Sequence, residues 1–391
     1  MTQPNSAGGK IVLSIGHVAG MIDMVALPLW IGNLMQHYGF SPVQAGLTVT
    51  LFLFSVVIAS TATAPIFDRI PHRAVVAAGF LVGAAAFLAV SRLPIEASSL
   101  NAIIALHVIA GLGTGTALSV THGNIGRTDN PHRLFGTVNV ALGVLGVFFF
   151  AALPQLVSHF GAATMFMVFA ATMAIASLLT ALFFPAVGNA PRAHGVSETT
   201  PSPAPKAVWF LIGVVICLTF NQAMVFSFLE RIGDAHGFAA EKVNIVLIVL
   251  GFVNLLPGAL AALLQKRLSP LVVGFCGPVL QAVLAMTMAN SPVFLPYAVA
   301  AAVYVSIVIF THTFLFGLLA RLDQSGRAVS ATPAMMMIGS CTGPAVGGAI
   351  VAGFGYGALG LASIVVSALA LSLLVGLKAQ LPSTETKLQV A

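Results

Sequence analysis

Charge is the scarcest commodity in this sequence. Only 7% of the 391 residues are Asp, Glu, Lys or Arg, against 58% hydrophobic residues. A soluble globular domain carries about 25% charged residues. So little charge cannot cover a water-facing surface, and the chain reads as a membrane protein. The net charge of +6 does not indicate nucleic acid, because the basic residues stand singly at the ends of apolar runs and form no patch. Cysteine is scarce too. Cys217, Cys276 and Cys341 all fall inside apolar runs and read as small hydrophobes, with no disulfide or metal framework. Phosphate loops are missing. GGK at 8–10 lacks the rest of a P-loop, and GLGTGT at 111–116 has no strand before it. Gly111 and Gly115 instead make a GxxxG suited to close helix packing. With no ATP site and no cofactor motif, work done by this chain must draw on a gradient.

What the sequence has is long apolar runs. A spanning helix needs about 20 mostly apolar residues. Twelve such runs lie near 11–35, 43–66, 74–93, 100–123, 135–158, 161–185, 207–232, 241–264, 270–289, 293–318, 329–353 and 357–377. None alternates polar and apolar with a period of two, so the spans are helices and not barrel strands. The run after MTQPNSAGGK is too long for a signal-peptide core of roughly 7–15 residues and reads as a retained first span. With the N-terminus inside, 13 of the 16 Lys and Arg residues fall on inner segments and only Arg92, Arg231 and Lys242 on outer ones. The bias places both termini in the cytoplasm.

The single long polar interruption, 188–206, is rich in Pro, Ser and Thr and reads as a linker. It separates an N-terminal six-helix half (1–187) from a C-terminal one (207–391). The halves echo each other. Arg127-x-Asp129-x-x-x-Arg133 recurs as Arg321-x-Asp323-x-x-x-Arg327, at an offset of 194, and Gly39-Phe40 recurs as Gly237-Phe238, at an offset of 198. Paired six-helix halves are the pattern of alternating-access carriers. The expected fold is therefore all-α, with twelve transmembrane helices in two pseudo-symmetric bundles.

The stretch APIFDRIPHRAVV (64–76) resembles the loop signature G-x-x-x-D-R-x-G-R-R of the major facilitator superfamily. Asp68, Arg69 and Arg73 match it; Ala64, Pro71 and His72 depart from it. IDMVALPLW followed by HYGFSPVQAGLTVTLFLF resembles the opening of the proton-linked drug-exporter branch. The resemblance implies a central cavity lined by spans 1, 4, 7 and 10. It also implies a cytoplasmic gate of Asp68, Arg69, Arg73, Arg127, Asp129, Arg133, Arg321, Asp323 and Arg327; the alternative for these charges is topology and helix capping alone. Two positions differ from the exporters. His107 stands where span four usually carries Arg, and span five lacks the GPxxGG signature.

Nine of the ten acids lie in loops, tails or span ends; the tenth, Asp23, lies about 18 Å into span one at about 1.5 Å per residue. An intramembrane acid costs roughly 2.5–3.5 kcal/mol and marks function by default. Asp23 is the candidate proton-coupling group, with His107 as a second. Its counterpart at offset 198 is Asn221, beside Gln222. These two, with His17, Trp30, Phe220, Phe226, Asn254 and Tyr304, are candidate walls of a substrate cavity. His17, His107, His122 and His312 all lie in spans, but in different ones and at different depths, without an acid or Cys at ligand spacing. His122 and His312 read as interfacial. His17 and Asp23, six residues apart, fall on different helix faces.

The functional expectation is a monomeric carrier of the inner membrane. It would export a small, partly apolar neutral or cationic compound in exchange for protons, with no cofactor, no resident metal and no enzymatic chemistry. Proton symport of a small organic solute is the alternative. A transition-metal carrier and a non-transporting membrane receptor are lesser ones.

Overall fold

Helix starts in this chain are written locally. Ser41 caps α3 (Pro42–Thr63): its hydroxyl accepts from the Gln44 N–H while the Gln44 side chain accepts from the Ser41 N–H, and Pro42 takes the first helical position. Ser6 caps α1 (Ala7–Gly20) and Asn130 caps α6 (Pro131–Phe160), their side chains accepting from the Gly9 and Arg133 N–H groups. The computed structural model describes residues 3, 5–185, 206–322 and 332–381. Within them there is no strand, and twelve helical stretches are long and apolar enough to cross a membrane.

Contacts divide the chain into two compact units, Met1–Arg192 and Ala193–Ala391, and the division falls within the proline-rich segment 188–206. The first unit contains α1, α2 (Asp23–Gln36), α3, α4 (His72–Val90), α5 (Leu100–Gly126), α6 and α7 (Ala163–Phe183). The second contains α8 (Lys206–Phe226), α9 (Leu229–Ala235), α10 (Ala240–Val253), α11 (Pro257–Leu264), α12 (Pro270–Asn290), α13 (Phe294–Leu322), α14 (Thr332–Phe354) and α15 (Ala358–Gln380).

Three spans are discontinuous. Span one breaks at Met21–Ile22 between α1 and α2, span seven at Ser227–Phe228 between α8 and α9, and span eight at Asn254–Leu256 between α10 and α11. Span seven was expected to run unbroken to 232. Pro257 opens α11 at a position where its missing N–H costs nothing. No proline stands at the other two breaks.

In the first unit α5 is the central post, packed against both α3 and α4. Its glycines make this possible. A Cβ at Gly111 would lie 2.3 Å from the Phe52 carbonyl oxygen and one at Gly115 2.4 Å from that of Val56, both on α3; Gly113 faces Gly79 on α4. On α1, Gly16 and Gly20 meet Thr121 and Leu118 of α5. The GxxxG is thus a packing device, holding α5 and its side chains at fixed height beside α1 and α2.

The internal repeat is visible in the backbone. Among the described residues the glycines with positive φ are Gly39, Gly161, Gly237 and Gly355. They form two pairs at offsets of 198 and 194, the same offsets as the sequence echoes.

Candidate functional site

Asp23 is the first residue of α2, directly after the break in span one, and only 4% of its surface is exposed. Its carboxylate faces the backbone N–H groups of its own residue and of Met24. These belong to the free donors at the start of a half-helix, the end that favours negative charge. No Lys, Arg or His lies within ion-pair reach of it among the described residues. Pro28 lies one turn further on, inside α2. It withholds an N–H from Met24, which loosens the first turn of the helix that carries the acid.

His107 and Trp30 lie close together. The Trp30 indole N–H donates to His107 Nε2 at 3.2 Å, and His107 Nδ1–H donates to the Ile103 carbonyl at 2.7 Å. Both side chains are fully enclosed, and the indole sits edge-on among Phe52, Phe87 and Phe169. A carbonyl can only accept, so Nδ1 carries the proton and Nε2 offers its lone pair. Both nitrogens are committed in the neutral imidazole. The sequence reading put Trp30 on a cavity wall and a coupling role on His107; here the two are bonded to each other inside an aromatic box.

A second pair, 105 residues apart in sequence, joins α1 to α5. His17 Nδ1 and His122 Nε2 are 2.9 Å apart, with ring centroids at 5.1 Å. The distance is that of a shared N–H···N bond between the two rings. His122 is therefore not merely interfacial. His312, also expected at the interface, is 8% exposed and stacked on Phe316. No group of three or more His, Cys, Asp or Glu side chains is placed to hold a metal among the described residues.

The second unit has a different character. Asn221 Nδ2 donates to the Ser363 carbonyl and to Ser367 Oγ, Tyr304 OH donates to the Asn221 carbonyl, and Gln281 Nε2 donates to the Leu218 carbonyl and to Tyr304. These five side chains, from α8, α12, α13 and α15, are all buried. Every bond is made by a donor. Asn221 Oδ1 and Gln281 Oε1 keep no partner among the described residues. Asn221 and Tyr304, read as cavity walls, are enclosed in their own bundle because its neighbouring carbonyls and hydroxyls satisfy their donors. Phe220 and Asn254 keep accessible surface, and Asn254 Oδ1 accepts from the Ser306 hydroxyl. Gln222 is 8% exposed and Phe226 2%. Gln281, Ser363 and Ser367 escaped the sequence reading, although a lone amide in span nine is itself a signal.

The signature loop is fully assembled. Asp68 pairs with Arg127, whose guanidinium lies 4.5 Å above the Phe67 ring. Phe67 sits on Gly123, and His72 donates to the Phe67 carbonyl while accepting from Asn124. Arg73 Nε donates to the Ala181 carbonyl at the end of α7. Of the other charges assigned to the gate, Arg69 is exposed, the Asp129 N–H donates to Asn5, the Arg133 N–H donates to its capping Asn130, and Arg321 ends α13. Asp323 and Arg327 lie outside the described residues.

One further acid was missed. Glu230, on α9, has a buried Oε2 with no partner.

Two bundles of apolar helices with buried polar groups at broken spans define a membrane carrier. The family model of the Major Facilitator Superfamily matches residues 12–322, and the chain belongs to that family. It is a membrane transporter and not an enzyme. Among solved structures it is similar to a D-xylose-proton symporter, with a TM-score of 0.71, 12% identity, and coverage of 96% of this chain and 98% of that one. It is also similar to a point-mutant form of the nucleoside transporter NupG, with a TM-score of 0.73, 14% identity, and coverage of 95% and 100%. No curated protein matches the sequence.

Proposed function

We propose that this transporter exports a small, partly apolar neutral or cationic compound in exchange for protons, and that Asp23 alone is the coupling acid. The observation that carries the reading is a carboxylate buried at a helix break with no cationic partner. A fixed ion pair would hold the charge permanently. Facing only backbone N–H groups, Asp23 can exist with or without its proton as access alternates. His107 acts as a positioning residue for Trp30, since both of its nitrogens are engaged in the neutral form. The Asp68–Arg127 cluster serves as a gate on the cytoplasmic side, and both termini share that side of the inner membrane. Among the described residues no Lys or Arg is bonded to the buried polar groups of either unit, which disfavours anionic substrates.

Uptake by proton symport is the second reading. The amide and hydroxyl cluster around Asn221 suits a hydrogen-bonding solute, and one similar structure is of a sugar–proton symporter.

The test is solute-driven pH change in proteoliposomes across a panel of neutral and cationic compounds. The wild type should acidify or alkalinise the lumen with at least one solute, and the sign gives the direction. Asp23→Asn should abolish the pH change while leaving solute exchange intact. Proton movement that persists in the Asn variant refutes the assignment.

A further inference from the structure

The lipid-facing surface of the second unit carries a groove that the transport reading does not use. It measures about 200 Å³ and lies between the start of α12 and the end of α15, lined by Leu271, Val272, Phe275, Cys276 and Lys378. The two helices close up beside it, with Gly274 next to Leu374. From the groove an exposed apolar track continues along α12 through Val279 and Val283. From Val272 to Val283 the track runs about 16 Å along the helix, a length suited to a fatty acyl chain.

The mouth of the groove is positive. Lys378 lines it, and the exposed Lys266 and Arg267 stand within four residues of Pro270, where α12 begins. None of the three forms an ion pair among the described residues. An unpaired cation lining an apolar cleft, with two more on the turn that leads into α12, complements one kind of molecule on a helix bundle immersed in lipid. We propose that this face binds an anionic phospholipid, with its phosphate on Lys266, Arg267 and Lys378 and one acyl chain in the groove.

Native mass spectrometry of the purified full chain, offered equal amounts of phosphatidylglycerol and phosphatidylcholine, tests the site. The wild type should retain about one phosphatidylglycerol in preference to phosphatidylcholine. Replacing Lys266, Arg267 and Lys378 by Gln should cut that preference roughly fivefold per charge, as about 1 kcal/mol per cation near a lipid surface implies. Cys276→Trp, which fills the groove and leaves the cations, should reduce retention of both lipids. Equal retention of the two lipids by the wild type, or an undiminished preference in the triple variant, overturns the proposal. Displacement by millimolar glycerol 3-phosphate also overturns it, because the site would then hold a free phosphate. A phosphatidylglycerol with a photoreactive chain gives a readout that needs no variant: cross-links should concentrate on 271–283 and the end of α15, and labelling spread evenly over the spans refutes the site.

Discussion

The Trp30–His107 bond separates two roles for a buried histidine, and a double-mutant cycle measures it. Trp30→Phe removes the indole donor and leaves His107 Nε2 unpaired within the aromatic box. His107→Leu removes the acceptor and leaves the indole N–H unpaired. Each orphaned polar group costs about 1–3 kcal/mol, in addition to whatever packing each substitution loses. The double variant Trp30→Phe/His107→Leu has neither orphan. It should therefore be less destabilised than the sum of the singles. Polar contacts in membrane bundles give coupling energies averaging about 0.6 and reaching about 1.7 kcal/mol. Full enclosure of both residues places this pair toward the upper end. The assay is reversible unfolding in mixed micelles, followed by Trp-independent far-UV dichroism. Additivity within about 0.3 kcal/mol refutes the bond. The cycle run at pH 6 and pH 8 should return the same coupling, because the lone pair on Nε2 is already engaged. If the coupling collapses at pH 6, His107 exchanges a proton and belongs with Asp23 in the coupling set.

Gly111→Ala and Gly115→Ala each drive a methyl into a backbone carbonyl of α3 and should destabilise by about 1–3 kcal/mol. Gly136→Ala, inside α6 with nothing within 4 Å, should stabilise by roughly 0.5–1 kcal/mol; melting curves in detergent in which all three behave alike refute the packing account. The Asp68–Arg127 pair is exposed, at 68% and 29%. Arg127→Gln should accordingly cost under about 1 kcal/mol of stability and yet slow transport; a large loss of stability would mark the pair as structural.

The spans were legible because lipid demands a long apolar run wherever a helix crosses, and the turns because Gly39 and Gly237 declare themselves beside Phe40 and Phe238. The Asp68–Arg127 cluster could be read from a short motif and its offset. The histidine contacts could not. His17 meets His122 across 105 residues and Trp30 meets His107 across 77, and nothing local in either segment encodes which faces turn toward each other. The breaks at Met21–Ile22 and Ser227–Phe228 were equally silent. An apolar run breaks wherever neighbouring helices satisfy the freed backbone groups, and that depends on partners distant in sequence. Glu230 was hidden by its neighbours, since Glu230, Arg231 and Asp234 read together as a solvated span end, whereas the fold buries the first of them.

The repeat and its failures bear on the role proposed for Asp23. Spans one and seven, each counted across its break, run from Ala7 to Gln36 and from Lys206 to Ala235, thirty residues apiece, and both are followed by a positive-φ glycine. Within that common length the breaks differ, falling after fourteen residues in the first and after twenty-one in the second. The polar groups differ as well. The first unit buries Asp23, with His17 bonded to His122 and His107 to Trp30; the position equivalent to Asp23 is Asn221, tied to Tyr304 and two serines. The halves keep identical parts at their turns. On the proposed function they diverge where one would handle a proton and the other would offer neutral hydrogen bonds. On that division Asp23→Asn makes the first unit resemble the second. Such a variant should still bind solute, with an affinity that no longer depends on pH, and a binding curve that keeps its full pH dependence would place the proton elsewhere.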